Sequence, residues 1–464
     1  TNGYTIKCLD RVYAEPRRLV AFHTRKELER MHALRSRGRI GNMNPNPEIA
    51  GRPYQSTAIK SICEHLDGKH RKGLLVLATG TGKTRVSIAL IDVLTRNGWI
   101  ENVLFLADRR ELVRQAHKEF VKQLPNMTYS VLSDKKLKGS EDARIMFSTH
   151  QTMIRYIDAE AKKFTPGRFD LIVIDEAHRS IFNKYGAIFR YFDSLLVGLT
   201  ATPKEDVDAN TYKIFDCESG SPNFSYQIEE AVKAGWLVDW ELYNRTTDVL
   251  QRGIHYNELS EEERKAADEL FEGAGYDETP EHVSNSKIFK AVYNTKTVDL
   301  VLQDLMKHGF KVGGGETLGK TVVFAMNHHH AEMIVERFKK LYPQYPEEYC
   351  QLIDNYEKFA DTLIDDFKTK PGFRIAVSVD VPESLNLVFF KQVKSKIKFI
   401  QMVGRGTRTC EDVFGPGLHK KKFRAFDWCG NFEYFGMGGK GSEDGGLTKS
   451  LTQNLFELRL SLAR

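Results

Sequence analysis

The sequence predicts an α/β protein of two doubly wound domains in tandem, each a parallel sheet covered by helices. Three observations carry that prediction. Short continuous apolar runs recur along the chain, as expected of parallel strands buried on both faces. Helix-like stretches lie between them, and the alternating series stops at a long charged stretch before beginning again.

The first series reads "GLLVLAT" from Gly73, "NVLFLAD" from Asn102, "RIMFST" from Arg144, "DLIVID" from Asp170 and "LLVGLTAT" from Leu195. Between the first two lies a helix pattern, with apolar Val86, Ile88, Ala89, Ile91, Val93 and Leu94 and a terminal Gly98. From about residue 205 to 300 the pattern changes to a connector. There "NELSEEERKAADELFEGAG" is charged and helical, and Ser260 stands as an N-cap three residues before Glu263. The second series reads "KTVVFAM" from Lys320, "FRIAVSV" from Phe373, "NLVFF" from Asn386 and "KKFRAFDW" from Lys421. Near the end "GMGGKGSEDGG" has linker composition, and Leu447, Leu451, Leu455 and Leu458 line one face of a C-terminal helix. The expected divisions are an N-terminal linker over 1–45, a first domain over 46–238, a second over 239–430, and a linker with the start of a helical region over 431–464. Two such sheets are expected to enclose a cleft.

Composition narrows the class. A chain of 464 residues, 41% hydrophobic and 28% charged, can bury proper cores, which excludes disordered and collagen-like proteins. The net charge of +6 permits nucleic-acid binding without arguing for it. Cys8, Cys63, Cys217, Cys350, Cys410 and Cys429 form no C-x-x-C pair, so neither a zinc site nor a disulfide framework is indicated. A reducing cytoplasm suits them. No apolar run approaches the roughly 20 residues needed to cross a bilayer, no signal peptide is visible, and the absence of an initiator Met suggests an excised piece.

"ATGTGKT", Ala78 to Thr84, joins an apolar run to a helix pattern. In that context Thr79, Gly80, Thr81 and Gly82 can wrap phosphates with backbone N–H groups. Lys83 can reach the β and γ oxygens, and the Thr84 hydroxyl can ligate Mg²⁺. Leu77 stands where the strict G-x-x-x-x-G-K-[ST] form wants glycine, so the stretch matches the A-x-x-G-x-G-K-T variant of helicases. A turn that merely caps a helix is the plain alternative. "VIDEAH" places Asp175 and Glu176 at the carboxyl end of a strand, where open α/β sheets bind ligands. Asp175 can hold the metal and Glu176 can orient or deprotonate the attacking water, with His178 linking the site onward. Alone, D-E-A-H could be a solvated turn.

"QMVGRGTR", residues 401 to 408, sets Arg405 and Arg408 three apart, a spacing that shares one helix face. Both would meet the phosphates when the domains close, as arginine fingers supplied in cis, with Gln401 bridging the halves. A basic surface helix is the plain alternative.

With these motifs together, the chain resembles the superfamily 2 helicases and translocases, whose motor is a pair of RecA-like domains. More narrowly, it is similar to the motor portion of the restriction (HsdR) subunit of type I restriction-modification enzymes. The resemblance rests on "RPYQ" (Arg52 to Gln55), "ATGTGKT", "LADRRELVRQ" (Leu106 to Gln115), "DEAHRS", "GLTATP", "NLVFFKQVKSKIKFIQMVGRGTR", "FGPG" and "FRAFDWCGNFEYF", and runs from about Phe22 to about Phe435. It implies that Gln55, with Arg52 and Tyr54, reads adenine, hence ATP with Mg²⁺. It implies further that Arg109, Arg110, Thr149 and His150 contact the nucleic-acid backbone, and that Thr200 and Thr202 couple hydrolysis to movement. Double-stranded DNA and the methyltransferase and specificity subunits are the partners it implies. A strand-separating DNA or RNA helicase is the alternative within the same chemistry, and a DNA-binding scaffold with a vestigial nucleotide site is the alternative outside it.

Two departures stand out. The family's T-x-G-x-D segment before V-P-E is missing, since "AVSVD" runs directly into "VPESLNLVFF" at Asp380 to Phe390; of a mobile stretch and a deletion, the first is the expectation, because a deletion here would cripple the motor. The family's nuclease domain, which precedes the motor, would lie upstream of this sequence, so translocation without cleavage is expected. Glu160-x-Lys162 in "DAEAK" is a decoy, because no strand presents it and its partner acid is missing. His328, His329 and His330 lack flanking carboxylate or Cys ligands and read as a helix start rather than a metal site. Arg35, Arg37 and Arg39 read as an exposed basic face.

Overall fold

The computed structural model describes residues 5–10, 14–34, 40, 44–133, 137–138, 141–158, 163–177, 179–202, 207, 209–245, 254–255, 282–283, 295–353, 360–378 and 384–437. His178, Glu160 and Lys162, the Arg35–Arg39 stretch, the Ser260 connector helix, the residues flanking Val381 and the leucines from Leu447 lie outside the described residues. The chain divides into two compact units, Thr1–Ala231 and Val232–Arg464.

The first unit opens with the hairpin β1 (Ile6–Asp10) and β2 (Ala14–Leu19), followed by a helix, Arg25–Leu34. The expected linker is therefore structured over these residues. Its anchor is electrostatic. The Asp193 carboxylate accepts hydrogen bonds from Arg17 (2.5 and 2.7 Å), His23 (2.9 Å) and Arg71 (2.9 Å), while Arg30 pairs with Asp170 at 2.9 Å.

Eight strands then form one sheet: β3 (Lys72–Leu77), β4 (Val103–Ala107), β5 (Tyr129–Leu132), β6 (Leu137–Lys138), β7 (Ile145–Thr149), β8 (Leu171–Asp175), β9 (Leu195–Thr200) and β10 (Phe224–Tyr226). Their spatial order is β10-β3-β9-β8-β4-β7-β5-β6, parallel except for the β5–β6 pair. The apolar runs are continuous because both faces are buried. Leu75 and Leu77 of β3 enter one core with Phe105 and Val173, whereas Leu74 and Val76 enter the other with Leu104 and Ile172.

The second unit repeats the scheme with β11 (Asp239–Asn244), β16 (Thr321–Phe324), β17 (Cys350–Ile353), β18 (Ile375–Ser378), β19 (Asn386–Phe389) and β20 (Lys422–Asp427). All five pairings in the order β11-β20-β19-β16-β18-β17 are parallel. The remaining strands are short: β12 (Ile254–His255) with β13 (His282–Val283), and β14 (Lys311–Val312) with β15 (Thr317–Leu318). Val322 and Phe324 face one core and Val323 the other. Residues 232–238, expected in the first domain, belong with the second, because Leu237 pairs with Arg408 and the Val238 N–H donates to the Thr407 carbonyl at 2.7 Å. Both units are RecA-like α/β domains. Among the described residues no helix is long and apolar enough to cross a membrane.

Candidate nucleotide site

Parallel pairing puts the carboxyl ends of β3, β9, β8, β4 and β7 side by side along one edge of the first sheet. The loop after β3 holds the phosphate motif. Gly80 and Gly82 take φ of 89° and 87°, left-handed backbone that glycine reaches without a Cβ penalty. Gly82 has a second constraint, since a Cβ there would stand 2.6 Å from Gln55 Nε2. The helix Lys83–Arg96 starts immediately after it, so its first N–H groups point into the loop. The Thr79 hydroxyl is buried there without a hydrogen-bond partner.

The helix Pro53–Asp67 braces this loop from behind. The Tyr54 hydroxyl donates to the Thr81 carbonyl at 2.7 Å and Gln55 Nε2 donates to the same oxygen at 2.9 Å. Arg52 donates to the Tyr54 hydroxyl at 3.0 Å, and its backbone N–H reaches Gln55 Oε1 at 3.3 Å. Burial raises the Tyr54 phenol against the pull of Arg52, which keeps the hydroxyl a donor. Thus two of the three residues expected to read adenine, Tyr54 and Gln55, hold the loop, and Arg52 supports them. Tyr226 joins them unforeseen. Its ring stacks on Tyr54 at 4.0 Å and its carbonyl accepts the Ala78 N–H at 3.0 Å. Its only sequence signal was an aromatic in a three-residue strand.

Across β9, Asp175 ends β8 and Glu176 follows it in the left-handed region, φ 58°. The Glu176 N–H donates to Asp175 Oδ1 at 3.1 Å, and the Ala177 N–H donates to the Leu199 carbonyl at 2.9 Å. Glu176 Oε1 pairs with Lys83 Nζ at 2.6 Å, joining the two halves of the motif set. Burial raises the Asp175 carboxyl, with Lys83 pulling it down and Glu176 pushing it further up. A bound divalent cation acts in the opposite sense.

Thr200 and Thr202 are buried between these two halves. Thr200 Oγ1 lies 3.1 Å from Thr202 Oγ1 and accepts the Thr202 N–H at 3.1 Å. Beyond β8, Arg109 and Arg110 are exposed after β4, and Arg109 caps the helix Arg110–Gln123. Thr149 ends β7, the neighbouring strand, and His150 opens the helix that follows it. Thr149 Oγ1 is bonded to Thr152 at 2.9 Å and the His150 ring is buried against Tyr185, so neither side chain is presented outward. They shape the turn.

Gln401, Arg405 and Arg408 lie in the second unit, and the expected shared helix face is not formed. The helix Lys396–Val403 stops before both arginines. Residues 404–407 turn, with the Thr407 hydroxyl bonded to the Gly404 carbonyl at 3.0 Å, and Arg408 pairs with Leu237. The turn is held by packing, since a Cβ on Gly406 would stand 2.4 Å from the Phe423 ring. Among the histidines, His330 is buried against Phe390, and Asn327 caps the helix His328–Leu341. No group of three metal-binding side chains of the His, Cys, Asp or Glu type gathers among the described residues.

Comparison with known proteins points the same way as the site. Residues 48–205 match the family model described as Type III restriction enzyme, res subunit. The chain is 29% identical over 427 residues to the type I restriction enzyme EcoKI endonuclease subunit of Escherichia coli K12, covering 82% of this chain and 34% of that one. With the EcoAI endonuclease subunit of Escherichia coli it shares 28% over 380 residues, 78% of this chain and 44% of the other. It thus spans less than half the length of these relatives. A solved fragment assigned to an HsdR subunit of a type I restriction enzyme from Vibrio vulnificus YJ016 superposes with TM-score 0.60 at 22% identity, over 96% of this chain and 78% of that one. The fold, the motif series and these matches agree: over most of its own length the chain is similar to the type I restriction endonuclease subunits.

Proposed function

We propose that the chain is the ATP-dependent motor of a restriction complex, translocating along double-stranded DNA. The observation that carries this reading is the Lys83–Glu176 pair, which brings the glycine loop and the paired acids of β8 to one point on the sheet edge. The loop, the helix N-terminus at Lys83 and the partnerless Thr79 hydroxyl suit a triphosphate. Thr84 and Asp175 suit Mg²⁺, which when bound neutralises charge on the phosphate oxygens.

Glu176 orients the attacking water and accepts its proton. Lys83 leaves Glu176 for the phosphates when nucleotide enters, which frees the carboxylate for that task. Arg405 steadies the charge that develops on the transferred phosphoryl group, with Arg408 and Gln401 beside it in the same segment. Thr200 and Thr202 sit between the two halves of the site and pass its changes to the strand ends that carry Arg109 and Arg110. Those arginines touch backbone phosphate, a contact that positions without reading sequence. Methyltransferase and specificity subunits are the partners in this reading, and the cytoplasm is its setting.

ATP hydrolysis with and without linear duplex DNA, single-stranded DNA and RNA tests the reading, with Lys83→Ala and Arg405→Ala as controls. Stimulation by duplex that both substitutions abolish is expected. Stimulation by single strands or RNA alone would move the chain to the strand-separating helicases, and no hydrolysis with any of them would defeat the motor reading.

A further inference from the structure

The mechanism above needs Arg405 held in one place, yet its helix has already ended. An arginine beyond a helix end has only its turn to fix it. Three chain segments meet at that turn, all within the second unit. The Ser384 N–H donates to the Arg405 carbonyl at 3.3 Å, and Gly406 packs against the Phe423 ring. One side chain joins all three. Lys420, only 7% exposed, donates from Nζ to the Gly406 carbonyl at 2.6 Å and to the Ser384 carbonyl at 2.9 Å. Its ammonium lies 5.7 Å from the centroid of the same Phe423 ring, and its own N–H is tied to the Cys410 carbonyl at 2.8 Å.

A buried ammonium is costly unless its donors are used. Here they are spent on backbone oxygens on either side of the Arg405 turn. Lys420 sits in "HKKKF", which reads in sequence as a plain basic run, while its neighbours Lys421 and Lys422 are exposed. We propose that Lys420 is a positioning residue for Arg405, its buried ammonium tying the carbonyls of Ser384 and Gly406 so that the Arg405 turn keeps one backbone geometry. The inference rests on the motor reading. Lys420 touches no substrate in this role; it acts through Arg405.

The test uses the full chain and the substitutions Lys420→Met, Arg405→Ala and the pair together. DNA-stimulated kcat should fall about tenfold to a hundredfold in Lys420→Met, the scale of a misplaced catalytic group. Affinity for a non-hydrolysable ATP analogue should stay within about twofold, because the phosphate loop lies elsewhere in the chain. The double variant should be no slower than Arg405→Ala alone, since residues acting through one group do not add. Wild-type kcat in Lys420→Met, a double variant in which the two losses multiply, or full activity in Arg405→Ala would each overturn the inference. If Lys420→Met melts early, Lys420→Gln replaces it; its uncharged amide can still donate to these carbonyls, and kcat should fall between those of wild type and Lys420→Met. Wild-type chain without any hydrolysis would defeat the motor reading itself, which separates the two failures.

Discussion

Glu176 and Lys83 hold each other at 2.6 Å, so a substitution at either changes both. Lys83→Ala should abolish hydrolysis and weaken nucleotide binding, measured with a fluorescent ATP analogue, because it removes the phosphate contact. Glu176→Gln should keep that binding and lower kcat by about 10²-fold or more, the usual worth of a general base. Equal loss of affinity in both would argue against the separate roles. Gly82→Ala tests the loop: φ of 87° and the Gln55 amide at 2.6 Å both oppose a Cβ. Nucleotide binding should be lost with little change in global unfolding, since the strain is local to the loop. Gly406→Ala differs, because the ring it meets belongs to the core of the second unit. Overpacking there should cost about 1–3 kcal/mol, read as a lower urea midpoint.

The element that most changes the expected picture is the N-terminal hairpin and helix. Asp193, which leads into β9, receives Arg17 and His23 from that segment and Arg71 from the lead into β3. Burial alone would raise its carboxyl, yet hydrogen bonds from His23 and Arg17 and the charges of Arg71 and Arg17 outweigh it and hold the carboxyl well below the usual range. The folded pKa is therefore depressed. Its stabilisation is full above the unfolded value of about 3.9 and fades as pH falls through that value toward the folded one. Acid unfolding should accordingly begin with release of the N-terminal segment, seen as early proteolysis near Arg25 and Lys26 below about pH 4. Asp193→Asn should show the same release at neutral pH, with a loss of about 3–5 kcal/mol, because it strands the partner charges. Resistance to protease in that variant would mean that packing, not charge, holds the segment.

At the scale of the whole chain, the order of strand ends predicts how the activities separate. The residues proposed to bind nucleotide lie at or just after the ends of β3, β9 and β8, and the exposed arginines follow the adjacent β4. Arg109→Ala with Arg110→Ala should therefore leave basal hydrolysis intact and remove DNA stimulation, and the salt dependence of DNA binding should flatten by about one to two in logarithmic slope. Loss of basal hydrolysis would place these residues in the nucleotide site instead. The core strands of both sheets and the glycine loop were legible in the sequence, because continuous apolar runs and a glycine-rich turn are local signals. Strands β11 and β17 were not, since Asp239–Asn244 and Cys350–Ile353 carry polar residues at edge positions. The sequence by itself determined the sheet class and the glycine-loop and paired-acid motifs of the proposed nucleotide site, for those depend on period and spacing. Tertiary structure alone decided which side chains face outward, and it turned His150 inward, Gln55 onto the phosphate loop and Arg405 off its helix. Burial and hydrogen-bond partners come from segments far apart in the chain, and no local pattern records them.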